Sequence, residues 1–281
     1  MKNDYIKKYA DLHVHSKFSD GTFTPEEIFK YAKKKEISAV SITDHDTIAG
    51  IEIAVTAAEK LKFDFIPGIE FSVNWKKPVH ILGYFIDHKN QKLCDALAIS
   101  LEFRVGRVKK IIEQLKKYGL PVDYDELTNF VKMTTPGRPH IAQYLQSKKI
   151  IKTFDDAFRL YLTPGKPGYV EKHKLDLKDT VDLINSAGGV VVLAHPMSLH
   201  DDNAVEEIIK GGGIEGIEAY YTGHSANDVL HYLKLAEKYK LIVTGGSDCH
   251  GKAKEEVYLG KIKLKYEYVE RLKEFAEKKK K

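Results

Sequence analysis

A chain of 281 residues is long enough for one large α/β domain, or for a domain with a sizeable insertion. Its two cysteines argue against a disulfide framework, and its start lacks the apolar core of a signal peptide. No segment approaches the ~20 apolar residues of a membrane helix. We therefore expect a soluble protein of the reducing cytoplasm. The 45 basic residues exceed the 40 acidic ones slightly, which fits an anionic substrate without requiring one.

Apolar runs alternate with helical patterns through most of the chain, which is typical of an α/β fold. Seven strands are predicted, with an eighth as a late candidate: ADLHV, SAVSIT, DFIPGIEFSV, VHILGYFI, GGVVVLAH, GIEGIEAYY and KLIVTGG, then VYLGKIKL. Between them lie helix signals: Thr24 with Glu27 and Ser225 with Asp228 form capping boxes, and Gly188 ends a helix.

From about residue 90 to residue 168 this alternation stops, and helical patterns follow one another without a predicted strand. We therefore predict a helical insertion at 90–168 within an α/β domain formed by 1–89 and 169–281. We expect this insertion to act as a lid over the site.

Histidines and carboxylates lie at or near the carboxyl ends of most predicted strands. In chain order they are His13, His15, Asp20, Asp44, His45, Glu70, His80, His195, Asp248 and His250. Singly, most have ordinary explanations: the first two histidines could be a solvated strand end, Asp20 a turn residue, and Asp44 the cap of the next helix. Glu70 is harder to explain, because a carboxylate inside an apolar strand is costly unless it is paired or binds a metal.

Together these residues predict one site, because the carboxyl ends of strands in α/β proteins meet at one edge. Neutral imidazoles combined with carboxylates suit Zn, Mn or Fe. Leaving Asp44 aside, nine candidate ligands exceed what one ion can use, which predicts two or three ions.

The motifs HVHSKFSDG, ITDHD, PGIEFS, VHILGY, TPGRPHIA, LAHP and GGSDCHG resemble, in this order, those of the PHP (polymerase and histidinol phosphatase) family. They are most similar to its branch of 3′,5′-nucleoside bisphosphate phosphatases and 5′-3′ exoribonucleases. The resemblance extends from Ala10 to Leu264. It implies a distorted (β/α)7 barrel with an inserted small helical domain.

The resemblance also implies three divalent metal ions, with manganese as the first choice and iron or zinc as alternatives. The ligand sets that it implies are His13, His15, Glu70 and Asp248 for one ion, Glu70, His80 and His195 for a second, and Asp20, His45 and His250 for a third. Asp44 would orient a ligand imidazole. The expected nucleophile is a metal-bridging hydroxide, since the ions lower the pKa of bound water.

Substrate phosphate needs cationic donors besides the metals, and TPGRPH supplies Arg138 and His140. Arg138, with His195 and Asp44, completes the predicted catalytic set, although Arg138 could instead be a surface residue after a turn at Thr135. His224 is a further substrate-binding candidate. For Arg104 and Arg107 both a solvated position and substrate contact stay open. The ring of Tyr221, at another strand end, is a candidate for stacking on a nucleobase. We expect Cys249 to be a packing residue.

We predict a metal-dependent phosphoric monoester hydrolase that acts on the 3′-phosphate of nucleoside 3′,5′-bisphosphates, with 5′ to 3′ trimming of short RNA as an additional activity. Its partner would be this small phosphorylated substrate, with neither a membrane nor an obligate protein partner. Two alternatives stay open: a histidinol-phosphate phosphatase, and a metal-binding regulatory module that has lost catalysis.

Overall fold

The computed structural model of the protein describes residues 8–131, 136–253 and 256–280. The contacts divide the chain into two compact units. The first, here called the barrel unit, comprises Met1–Cys94 and Leu175–Lys281, and the second, the helical unit, comprises Asp95–Lys174. The helical unit thus begins and ends about five residues later than the insertion predicted at 90–168.

The barrel unit is built on a nearly closed sheet. Its strands are β1 (Tyr9–Val14), β2 (Ile37–Ile42), β3 (Asp64–Asn74), β4 (Val79–Tyr84), β5 (Leu175–Asp176), β6 (Val190–Leu193), β7 (Gly216–Tyr221), β8 (Ile242–Gly246) and β9 (Leu264–Lys265). Their order is β8-β7-β6-β4-β3-β2-β1-β9, with β5 beside β3. All seven predicted strands are present. The candidate strand VYLGKIKL is reduced to its last residue, in β9, and β5 was not predicted.

The sheet closes where the carboxyl ends of β1 and β8 meet. The backbone N–H of Asp248 donates to the carbonyl of His13 (2.8 Å), and that of His15 donates to the carbonyl of Cys249 (2.9 Å). Gly246 permits this approach, because a Cβ there would lie 2.4 Å from the backbone nitrogen of His13. β4 runs antiparallel to both of its neighbours, and the short β9 runs antiparallel to β1, whereas the other neighbouring barrel strands are parallel. The predicted distorted seven-stranded α/β barrel is confirmed.

The helices follow the predicted pattern. They are α1 (Pro25–Lys34), α2 (Ile51–Leu61), α3 (Gln91–Lys117), α4 (Tyr124–Val131), α5 (Arg138–Ser147), α6 (Phe154–Ala157), α7 (Leu177–Ser186), α8 (Asp202–Gly211), α9 (Ala226–Tyr239) and α10 (Tyr266–Lys279). The capping boxes of Thr24 with Glu27 and of Ser225 with Asp228 are confirmed. Gly188, which follows α7, has a φ of +68°, as expected for a helix stop.

The helical unit has its own apolar core. On α3, Val108, Ile111, Ile112 and Leu115 are buried at helical spacing. They belong to one cluster with residues of α4, α5 and the π-helical turn Phe158–Leu162 that follows α6. Among the helices of the described ranges, none combines the length and the apolar character that a bilayer crossing requires.

Candidate metal centre

The nine predicted metal ligands come together in the barrel unit. Three groups have donor atoms within 4.8 Å of one another: His13, His15, Glu70 and Asp248; His15, Asp20, His45 and His250; and His45, Glu70 and His80. The first group has the composition expected for one ion, and the second adds His15 to the set expected for another. His195 joins through its Nε2, which lies 3.1 Å from Glu70 Oε1.

Glu70 lies at the centre of this cluster, on β3. Its two oxygens face different imidazoles, which is the arrangement expected of a bridging carboxylate. Oε2 lies 3.3 Å from His13 Nε2, 3.1 Å from His15 Nε2 and 3.0 Å from His45 Nδ1, whereas Oε1 lies 2.9 Å from His80 Nδ1 and 3.1 Å from His195 Nε2.

Several of these donor atoms are buried without a hydrogen-bond partner among the described residues. They include His13 Nε2, both ring nitrogens of His15, His80 Nδ1 and Glu70 Oε2. Leaving a buried polar atom unpaired costs about 1–3 kcal/mol, so five such atoms in one place call for another partner. Imidazole nitrogens and carboxylate oxygens are ligands that Zn, Mn and Fe accept, and the donor set therefore fits divalent cations.

The electrostatics of the cluster also favour added positive charge. Burial would raise the pKa of Glu70, but the surrounding imidazoles hold that pKa well below its usual range. Burial opposes the charged form of His15, yet Asp248 and Glu70 raise its pKa to about 10. Burial lowers the pKa of His45 to about 3, although Glu70 and Asp20 act in the opposite direction. The site therefore attracts either protons or cations, which compete for the same atoms.

Comparison with known proteins identifies the family. A family model of the PHP domain matches residues 11–135. The 3′,5′-nucleoside bisphosphate phosphatase of Chromobacterium violaceum is 34% identical over 246 residues, which are 85% of this chain and 86% of the relative. The chain belongs to the PHP domain family.

Two further comparisons give the same class. A 5′-3′ exoribonuclease of Haemophilus influenzae is 32% identical over 252 residues, covering 87% of this chain and 90% of the relative. The crystal structure of a Bifidobacterium adolescentis protein assigned as a metal-dependent phosphoesterase has a TM-score of 0.85 and 31% identity, and the match covers 95% of each chain. This PHP protein is thus a metal-dependent phosphoesterase, and the predicted family and enzyme class are confirmed.

Glu218, on β7, holds two of the candidate ligands and was not predicted to do so. It is fully buried. Its Oε1 lies 3.0 Å from His13 Nδ1, which must donate, so Nε2 of the same ring is left to face Glu70. Its Oε2 accepts from the backbone N–H of His195 (2.8 Å), a residue with the unfavourable φ of +23°. The signal was available, since Glu218 stands inside an apolar strand just as Glu70 does.

Asp44 makes different contacts from those predicted. Its carboxylate accepts hydrogen bonds from Ser16 N (2.7 Å), Ser16 Oγ (2.6 Å) and Ser19 Oγ (2.6 Å). Among the described residues these donors include no imidazole, and α2 begins without a side-chain cap. This corrects both expectations for Asp44: it fixes the loop that leads from His15 to Asp20.

Two other side chains support the carboxyl end of β8. The buried Asp11 accepts from the backbone N–H of Ser247 (2.8 Å) and of Gly260 (3.0 Å), and burial raises its pKa to about 6. The hydroxyl of Tyr221 donates to Asp248 Oδ2 (3.1 Å). Burial raises the pKa of Tyr221, so this hydroxyl keeps its proton. Tyr221, expected as a base-stacking candidate, thus contacts a predicted metal ligand.

The remaining barrel candidates have local partners. His224 donates from Nδ1 to the carbonyl of Ala219 (2.9 Å), while its Nε2 is buried without a hydrogen-bond partner in the described part of the chain. Cys249 is buried in an apolar cluster, in agreement with the expected packing role.

The other substrate-binding candidates lie in the helical unit. Arg138 donates from Nη1 to the carbonyl of Leu162 (3.0 Å), and its guanidinium lies 5.9 Å from the ring centres of Phe158 and Tyr169. His140 is buried and accepts from the backbone N–H of Gly137 (2.9 Å). Thr135 of the predicted turn lies outside the described residues.

Proposed function

We propose that this PHP enzyme removes the 3′-phosphate of nucleoside 3′,5′-bisphosphates and also trims short RNA from its 5′ end. The observation that carries the proposal is the convergence of nine imidazole and carboxylate side chains around Glu70. The names of the Chromobacterium and Haemophilus relatives support these two substrates. Three divalent cations, manganese first, would be held by the nine residues.

The side chains around the site prepare it for a doubly charged phosphate monoester. Divalent cations, when bound, supply charge compensation for the phosphate oxygens and acidify coordinated water. Glu70 keeps both oxygens directed at the imidazoles on either side of it. Glu218 holds the ring of His13 and the backbone of His195, and Tyr221 holds Asp248. Because these supports are buried or half-buried, the donor atoms stay in place without rearrangement.

Arg138, His140 and His224 are proposed to bind the substrate. Arg138 uses one of its five N–H donors for Leu162, which leaves others for a phosphate oxygen pair. Burial lowers the pKa of Arg138. The ordinary pKa of arginine is so high that the guanidinium still stays charged at neutral pH. We assign it to phosphate binding, and we propose His140 and His224 as weaker contacts.

Phosphate release from 3′-phosphoadenosine 5′-phosphate by the purified, manganese-loaded protein tests the first activity. Histidinol phosphate and adenosine 5′-monophosphate serve as competing substrates, and His13→Ala serves as the inactive control. The proposal expects the bisphosphate to have the highest kcat/KM. A preference for histidinol phosphate would favour that alternative enzyme, and a metal-loaded protein inert toward all three would favour a non-catalytic module.

A 3′-labelled RNA hexamer tests the second activity. Trimming from the 5′ end shortens the labelled product one nucleotide at a time. Release of the labelled terminal nucleotide first, or cleavage within the hexamer, would refute the proposed direction.

A further inference from the structure

A groove on the helical unit belongs to no part of the function proposed above. Its volume is about 330 Å³, which is in the range of small-molecule sites. We call it the α3 groove and define it by six lining residues: Phe103, Gly106, Arg107 and Lys110 of α3, and Glu171 and His173 of the segment that follows the π-helical turn.

An aromatic platform forms part of the lining of this groove. The rings of Phe103 and His173 stack face to face, with centroids 3.9 Å apart and planes within 3° of parallel. Phe103 is nevertheless 50% exposed. An exposed planar ring of this kind is a stacking surface for a nucleobase, because every base offers a flat π-face.

Gly106 keeps the groove open at the centre of α3. Glycine is the least favourable residue after proline in a helix interior. Close packing does not require it here, since a Cβ at this position would meet nothing within 4 Å. A side chain would fit the helix but would project into the empty space, so glycine preserves room for a ligand.

The charged residues of the groove match the polar parts of a nucleotide. Arg107 donates from Nε to the carbonyl of Val170 (2.7 Å), and it forms no salt bridge with a carboxylate among the described residues. Burial and the nearby charges of Arg138 and Arg104 lower the pKa of Arg107 to about 10, so it stays charged and a phosphate would relieve the repulsion. Two carboxylates, of Glu171 and Glu102, also line the groove and can accept from a ribose 2′-hydroxyl or a base amino group.

We propose that the α3 groove binds one nucleotide unit of an oligoribonucleotide, with the base on Phe103 and the phosphate at Arg107 and Lys110. This inference rests on the proposed action on short RNA. The α3 groove would therefore contribute to the binding of oligonucleotides and would not be needed for a single nucleoside bisphosphate.

Three variants test the groove in the full-length chain. Gly106→Leu fills it, Phe103→Ala removes the platform, and Leu101→Ala is a matched control, because Leu101 is 43% exposed on the same helix and does not line the groove. Binding of a fluorescent RNA hexamer is measured by anisotropy with EDTA present, so that the RNA is not cleaved and bound metal does not contribute.

The proposal expects Gly106→Leu and Phe103→Ala to weaken RNA binding about fivefold or more, while Leu101→Ala binds as the wild type does. The Tm of Gly106→Leu should not fall, because leucine is the better helix former. Manganese-dependent turnover of the nucleoside bisphosphate should be unchanged in all three variants.

Wild-type protein that does not bind the hexamer, or a Gly106→Leu variant with wild-type RNA affinity, overturns the proposal. A parallel loss of bisphosphate turnover in both groove variants also overturns it, since the groove would then serve the small substrate. If the wild type does not hydrolyse the bisphosphate, the proposed phosphatase fails, and the RNA-binding measurement still decides the groove.

Discussion

Replacing Glu218 by glutamine should weaken manganese binding although Glu218 itself is not among the proposed ligands. Glu218 accepts two buried hydrogen bonds, from His13 Nδ1 at 3.0 Å and from His195 N at 2.8 Å. Glutamine keeps the size but has one acceptor oxygen, so its amide nitrogen must face one of the two donors. A hydrogen bond to a charged group contributes about 1.5–3 kcal/mol. Losing one, together with the fixed orientation of the ligand, should lower manganese affinity roughly 10- to 100-fold.

Electron paramagnetic resonance of free Mn²⁺ during titration of the metal-free protein measures this affinity. Glu215→Gln is the matched control, because Glu215 also accepts from a backbone N–H, that of Val191 (2.9 Å), and from Lys279 (2.6 Å). Both variants should lose stability, but Glu218→Gln alone should lose manganese affinity, and saturating manganese should restore much of its activity. Wild-type manganese affinity in Glu218→Gln would refute this reasoning.

Four further outcomes are expected. His13→Ala and Asp248→Ala should each lower manganese content and reduce phosphoester hydrolysis at least about 100-fold, because each removes a proposed ligand. Normal metal content in both variants would contradict the assignment. Arg138→Ala should raise the KM for bisphosphate about 10- to 100-fold with unchanged metal content, and metal loss would instead indicate a structural role. Asp44→Asn should cost about 1.5–3 kcal/mol for each hydrogen bond lost, measured by urea unfolding, and a wild-type midpoint would contradict this. Manganese at 100 times its Kd should raise the unfolding free energy by about 2.7 kcal/mol, measurable as a higher Tm, and an unchanged Tm would indicate no binding to the folded state.

The strands and their polar ends were predictable because the signals are local. Strand periodicity places His13 of β1 and His15, which follows that strand, on one side, and the convergence of the strands brings Asp248, which follows β8, to the same place as Glu70 within β3. The sequence of one strand end does not indicate which residue lies opposite it in the barrel. The nine candidate ligands, which lie on or shortly after six strands, predicted one site only when they were considered together.

The supporting residues were harder to predict, because their partners are distant in sequence. Glu218 lies 205 residues from His13, and Asp11 lies 236 residues from Ser247. Asp44 was expected to contact an imidazole, but its partners are hydroxyls and an amide of a loop 25 to 28 residues earlier. Its neighbours in sequence carry no sign of that pairing. The strand β5 has two residues, too few for a periodic pattern to mark it.

Anomalous diffraction from crystals soaked in manganese tests the central claim most directly. The account predicts manganese peaks around Glu70, one of them bound by His13, His15 and Asp248, and others within bonding distance of His80 with His195 and of Asp20 with His45 and His250. The account would be contradicted if the protein hydrolysed its substrate with manganese while the manganese peaks in the crystal lay elsewhere and these imidazoles and carboxylates bound no ion.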